Sequence, residues 1–158
     1  MTAGSVARRW AKALFDLAEE NGRLEEVGAG LAEIAVAVGE FDHAALAPGH
    51  LGADARQRLG AELASQVGAS SEFGRFLRLL AERDRLAELE GIARWFEKMG
   101  DEKAGRVRMR VLTATPIEEA ELARLSDAFS GVAGCEVVAE AGTEQALIGG
   151  AVVELEGR

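Results

Sequence analysis

Apolar residues recur every three or four positions through roughly the first two thirds of the chain, the spacing of α-helices that bury one face. A first helix is predicted from Ser5, a side chain suited to an N-cap, to the helix-stopping pair Asn21-Gly22. Leu24, Val27, Leu31, Ile34 and Val38 predict a second, although Gly28 and Gly30 each weaken it by about 1 kcal/mol relative to alanine. Ala47-Pro48-Gly49 marks a joint. A third helix follows over about Asp54 to Val67, with Leu59 and Leu63 inward. The next, capped by Ser70 or Ser71, carries Phe73, Phe76, Leu77, Leu79 and Leu80. After Asp84 a segment with Leu86, Leu89, Ile92, Ala93 and Phe96 continues to about Lys103. Short connections of this kind favour neighbouring, mostly antiparallel helices in a bundle.

From Arg106 the period changes to two. Val107, Met109, Val111 and Thr113 alternate with Arg106, Arg108, Arg110 and Leu112, which predicts a half-buried strand with a solvated arginine face. Thr115-Pro116-Ile117-Glu118 reads as a helix start: Thr115 caps, Pro116 suits the first turn, and Glu118 completes a capping box. Ile117, Leu122, Leu125 and Phe129 form that helix's apolar side. Residues 135–140 and 146–155 predict two further strands, the last with a bulge or close approach at Gly149-Gly150. The sequence thus divides into a helical domain over 1–104 and a small α/β domain over 105–158.

Two helices have more apolar surface than one core contact needs. With residues placed 100° apart, Val6, Trp10, Ala13, Leu14, Leu17 and Phe15 belong to one arc of about 200°, against the ~100° stripe of an ordinary surface helix. Phe73, Phe76, Leu77, Leu79, Leu80 and Ala81 span a similar arc of about 200° on the helix after Ser71. Two arrangements satisfy this pattern. Either both helices are central and buried nearly all round, or the flanks Val6-Trp10-Ala13 and Phe76-Leu79 lie side by side as a groove for an amphipathic partner helix.

Composition narrows the function classes. With 48% hydrophobic and 28% charged residues the chain has the balance of a globular protein. No apolar run approaches the ~18–20 residues of a membrane span, so no direct membrane insertion is expected. A net charge of −9 opposes a broad nucleic-acid surface. Arg8, Arg9 and Lys12 beside Trp10 would also suit a helix lying on an anionic membrane, a reading kept as an alternative.

The chemistry-bearing residues are sparse. Cys135 is the only cysteine, which rules out an intramolecular disulfide and fits a small hydrophobe at a strand start. His43 and His50, in a loop-like region, fall short of the three or more ligands of a metal site. Gly28-Ala29-Gly30 has no preceding strand, and Gly149-Gly150 leads into a strand rather than a helix, so neither makes a phosphate loop. No catalytic set, cofactor or metal is expected.

The same segments resemble the delta-subunit family of bacterial F-type ATP synthases, related to the mitochondrial oligomycin-sensitivity-conferring protein. VARRWAKALFDLAEENG is similar to that family's opening signature, and FGRFLRLLAERDRLAELEGIARWFEKM to its second. VRMRVLTATPIEEAEL resembles its strand-to-helix joint and LIGGAVV its late glycine pair. The resemblance implies a mainly α fold, an N-terminal six-helix bundle followed by a small α/β domain. It implies a non-catalytic stator at the cytoplasmic face of the bacterial plasma membrane, whose bundle binds the N-terminal helix of an alpha subunit between its first and fifth helices. Matched motif by motif, the groove positions are Trp10, Ala13, Phe76 and Leu79, and Val6 joins them as part of the same geometric flank. The second domain would engage the b subunits of the peripheral stalk. The family continues through an Asp-Gly-Ser turn into a last helix, so this domain is expected to be incomplete where the chain stops at Gly157-Arg158. A helical adaptor of another intracellular complex shares the physical features and differs in its partner.

Overall fold

A computed structural model describes residues 3–39, 46–68, 71–144, 146–147 and 149–156. The chain divides into two compact units, Met1–Met99 and Gly100–Arg158.

The first unit is helical: α1 (Ala3–Glu20), α2 (Leu24–Gly39), α3 (Ala53–Gln66), α4 (Glu72–Glu82) and most of α5 (Leu89–Ala104), with a 3-10 turn over Leu86–Glu88. These are five α-helices among the described residues; residues 40–45 lie outside the description. Local chemistry accounts for several boundaries. Gly22 takes a left-handed φ of 65° after α1, and the amide of Arg23 returns to the carbonyl of Ala18 at 2.8 Å, closing the helix end. Ser71 caps α4, its Oγ accepting from the amide of Gly74 at 2.9 Å. The segment after Asp84 is not one continuous helix, because the 3-10 turn precedes α5.

Leu14, Leu31, Ile34, Leu77, Leu80, Leu89 and Ile92 are almost wholly buried in one cluster with Phe15, Phe73 and Phe96. The rings of Phe15 and Phe96 meet edge to face with centroids 5.2 Å apart. Helix α4 packs most closely on α3, where Gly60 faces Ala81. A β-carbon on Gly60 would stand 2.5 Å from that of Ala81, so the glycine allows the two backbones to approach.

The second unit is a three-stranded sheet of order β2-β1-β3 with one helix: β1 (Arg106–Thr113), α6 (Glu119–Ala133), β2 (Glu136–Thr143) and β3 (Ala151–Glu156). Strand β1 runs parallel to β2 and antiparallel to β3, with Met109 opposite Ala139 and Leu155. A parallel pair needs a crossover, and α6 supplies it. Met109, Val111 and Val137 form the buried centre, against which Leu122, Leu125 and Phe129 of α6 pack.

Several local expectations are corrected here. Ser5 lies inside α1, which already begins at Ala3, so it is not the N-cap. Helix α6 begins at Glu119, capped by Glu118 without a side-chain bond, so Thr115 and Pro116 sit in the turn before it. Strand β3 starts at Ala151, later than the apolar run from Ala146 suggests. Gly149 and Gly150 form a bend in which Gly150 takes a φ of 84°, so they lead into the strand and do not bulge within it. Cys135 is half-buried and precedes β2.

The arginine face of β1 is a further correction. Asp101, only 5% exposed, accepts from Nη2 of Arg106 at 2.8 Å and from Nε of Arg108 at 2.5 Å, and Arg108 also pairs with Glu140 on β2. Only Arg110 of the three is exposed. A buried carboxylate is tolerable because two guanidinium groups satisfy it.

Candidate functional site

Helix α1 uses half of its apolar arc for the core. Ala7, Ala11, Leu14, Phe15 and Ala18 are buried, and at 100° per residue they fill an arc of about 100°. On the adjoining flank Val6, Trp10 and Leu17 are half-buried and Ala13 is exposed. The flank that helical geometry left over is therefore only partly covered by the rest of the helical unit.

Helix α4 is used more fully. Phe73, Phe76, Leu77, Leu80 and Ala81 are all buried, and only Leu79, 38% exposed, stands clear. The spare flank of α4 reduces to Leu79 and the margin of Phe76, which keeps 8% of its surface. Nearness to α3 across Gly60 takes the rest.

The two flanks meet. The rings of Trp10 and Phe76 lie edge to face, centroids 5.8 Å apart at 75°, a contact worth about 0.5–1.5 kcal/mol beyond area burial. Of the five positions singled out from the sequence, the fold brings Trp10 and Phe76 into contact. Val6, Ala13 and Leu79 stand at partly or fully exposed positions on the same two helices. The arrangement is a partly exposed apolar strip on two neighbouring helices, joined by one aromatic contact.

Leu17 belongs with these residues and was not singled out. It lies two turns beyond Trp10 on nearly the same stripe, so a search at seven-residue spacing identifies it. On the opposite margin of α1, the Arg8 guanidinium sits 5.1 Å from the ring centre of Trp95 and the Lys98 ammonium 5.3 Å from it. Cation–π contacts at such sites contribute about 0.5–1 kcal/mol each. The Arg8 and Trp95 pair joins α1 to α5 and engages a basic residue of the stretch that a membrane-surface helix would need.

Toward the end of α1 lies a cavity of about 370 Å³ lined by residues of α1, α2 and α4, by the end of α3 and by the chain after it. Arg23 at its margin donates to Glu26 at 2.8 Å and to Glu72 at 3.4 Å. The hydrogen bond from Arg23 holds the Glu26 carboxyl below the usual carboxylate range, and the same bond raises Arg23 above its own ordinary value.

Among the described residues no group of three or more His, Cys, Asp or Glu is placed to hold a metal ion, and no helix is long and apolar enough to cross a membrane. His50 is exposed, and His43 lies outside the described residues.

The family described as ATP synthase delta (OSCP) subunit matches residues 6–158 of this chain. Among similar proteins, the ATP synthase subunit delta of Anaeromyxobacter sp. (strain Fw109-5) is 34% identical over 157 residues, covering 98% of this chain and 88% of the relative. That of Myxococcus xanthus is 33% identical over 151 residues, covering 92% and 82%. That of Desulforamulus reducens is 34% identical over 158 residues, covering 98% and 86%. A chain in the cryo-EM structure of the Toxoplasma gondii mitochondrial ATP synthase hexamer shares the fold, with a TM-score of 0.63 at 18% identity over 90% of this chain and 78% of that one.

Proposed function

The chain belongs to the ATP synthase delta (OSCP) subunit family, and from that premise we propose that the groove between α1 and α4 holds the N-terminal helix of an alpha subunit. It is a non-catalytic stator subunit of the F-type ATP synthase. In the six-helix bundle of the family the helix bearing Phe76 counts as the fifth; here it is the fourth described α-helix. In this reading residues 1–104 grip the catalytic head, and residues 105–158 engage the b subunits of the peripheral stalk. The protein then sits peripherally at the cytoplasmic face of the bacterial plasma membrane, held there by its complex.

The observation that carries the reading is the Trp10–Phe76 contact beside a partly covered apolar flank of α1. An amphipathic helix laid along this flank would cover Val6, Trp10, Ala13 and Leu79. Full burial of a large apolar side chain contributes about 1.5–3 kcal/mol; these, already partly covered, add the part still exposed, and tryptophan is a frequent hot spot. A stator must resist torque without dissociating, which calls for slow release. Desolvated apolar anchors act mainly on the dissociation rate.

Titration of the full chain with a synthetic alpha-subunit N-terminal peptide, followed by calorimetry and tryptophan fluorescence, tests the proposal. One-to-one binding is expected, with the fluorescence change lost in Trp10→Phe. Ala13→Arg fills the groove from an exposed position and leaves the core untouched, so it is expected to weaken binding by at least about tenfold. Unchanged binding in a folded Ala13→Arg variant would place the peptide elsewhere.

A further inference from the structure

The cavity lies on the same pair of helices as the Trp10–Phe76 contact, one or two turns along, and Leu17 of the Trp10 stripe helps to line it. Trp10 meets Phe76, whereas the later α1 residues Leu14 and Leu17 line the cavity with the earlier α4 residues Glu72 and Phe73. The two helices therefore run antiparallel, and the cavity lies at the end marked by the last turns of α1 and the first turn of α4. Its inner wall is apolar, with Val27 of α2 and Val67 joining Leu14, Leu17 and Phe73. Its margin is charged. Glu26, Glu33 and Glu72 meet two guanidinium groups: Arg23 pairs with Glu26 and Glu72, and Arg75 donates to Glu72 at 3.3 Å, so the excess is the single carboxylate of Glu33. Glu33 has no ion pair among the described residues, whereas Arg23 is engaged by Glu26 and Glu72.

We propose that this cavity is the end-stop of the docking groove, taking the last apolar anchor of the docked helix in its interior and a basic side chain of that helix at its acidic margin. The proposal rests on the reading of the groove as the alpha-subunit site and adds the chemistry that sets the helix's register. Trp10 and Leu17 are seven residues apart, a separation of about 10.5 Å along α1. A helix lying along that stripe presents apolar anchors seven residues apart. The basic residue follows three or four positions beyond the second anchor, one further turn along the same face. The volume of about 370 Å³ has room for a large side chain, which a shallow groove alone would leave half-exposed. The acidic excess at the margin selects the sign of the accompanying charge and disfavours the helix shifted by a turn or reversed.

The test uses the full chain and three synthetic amphipathic peptides. They are identical, with two leucines seven residues apart, except that the position one turn beyond the second leucine carries Lys, Gln or Glu. The Lys peptide is expected to bind about three- to fivefold more tightly than the Gln peptide, and the Glu peptide more weakly than either. The differences should shrink in high salt and disappear in a Glu33→Gln, Glu72→Gln double variant, both changes lying at the cavity's margin. Equal binding of the three peptides, with Ala13→Arg still weakening all of them, would overturn the end-stop and leave the groove standing. Failure of all three and of the alpha-subunit peptide to bind would overturn both.

Discussion

The two units of this chain are held together by different means. The helical unit joins α1 to α5 and the intervening 3-10 turn through one large apolar cluster that includes four phenylalanines, Phe15, Phe73, Phe76 and Phe96. The α/β unit buries Met109, Val111 and Val137 beneath half-buried residues of α6, none of which is itself fully buried. It compensates with polar ties. Asp101 clasps Arg106 and Arg108 on β1, and Arg108 reaches Glu140 on β2. Ser126 donates to the carbonyl of Val137, and Ser130 accepts from the amide of Val137 at 2.9 Å, so α6 satisfies backbone groups of an edge strand. A deep apolar cluster tolerates loss of surface contacts. A thin core depends on each hydrogen bond, because little area burial stands behind it.

The comparison is most directly broken in the cores. Leu77→Ala in the helical unit is expected to cost about 2–5 kcal/mol in urea unfolding, since the side chain is wholly buried. Met109→Ala should cost a similar amount, but from a smaller reserve. Hydrogen exchange is expected to show β1 and β2 losing protection while α1 and α4 keep theirs. One common transition in both variants would mean that the two units share a single cooperative core.

Asp101→Asn sharpens the polar side of the contrast. It removes the charge that two guanidinium groups satisfy, and it should destabilise the α/β unit by about 1–3 kcal/mol. The range stays modest because Arg106 and Arg108 keep 36% and 21% of their side-chain surface and regain water. No change in melting of that unit would remove the lock from the account.

Smaller effects test the helical unit. Gly60→Ala gains about 1 kcal/mol of helix propensity but forces α3 away from Ala81, for a net loss of about 1–2 kcal/mol by thermal unfolding. Leu79→Ser should change stability by less than about 0.5 kcal/mol while weakening the alpha-subunit peptide, because Leu79 lies outside the core. Equal losses of stability and affinity would count Leu79 as a core residue.

The smallest effect is a pH dependence. The hydrogen bond from Arg23 lowers the Glu26 carboxyl beneath its ordinary 4.5 in the folded chain. Its stabilising contribution is therefore present above the unfolded value and lost as pH falls through the lowered one. An NMR titration should find the Glu26 midpoint below 4.5, moving upward in Arg23→Gln. An unmoved midpoint would discard the pair.

Much of this was legible before any fold was known, and the rest was not, for reasons that differ residue by residue. The stripe on α1, the stop at Asn21-Gly22 and the Ser71 cap depend on neighbours within a turn or two, so spacing and side-chain type determine them. The alternation of β1 is equally local. Local rules misplaced the start of α6, where Thr115, Pro116 and Glu118 are each suited to a helix start and yet the chain turns first. Spacing also marked two wide apolar arcs, but it could not apportion them between core and surface. Phe76 and Leu79 share one arc, and only the approach of α3 across Gly60 and of α1 at Trp10 leaves one buried and the other exposed. The arginines of β1 read as a solvated face because alternation reports which side a residue is on, not what comes to cover it. Tertiary structure brings Asp101 to Arg106 and Arg108, and the end of α1 to the start of α4. Burial, charge pairing and cavities arise from surfaces supplied by other segments, whereas a residue's place on its own helix or strand is set by the backbone repeat alone.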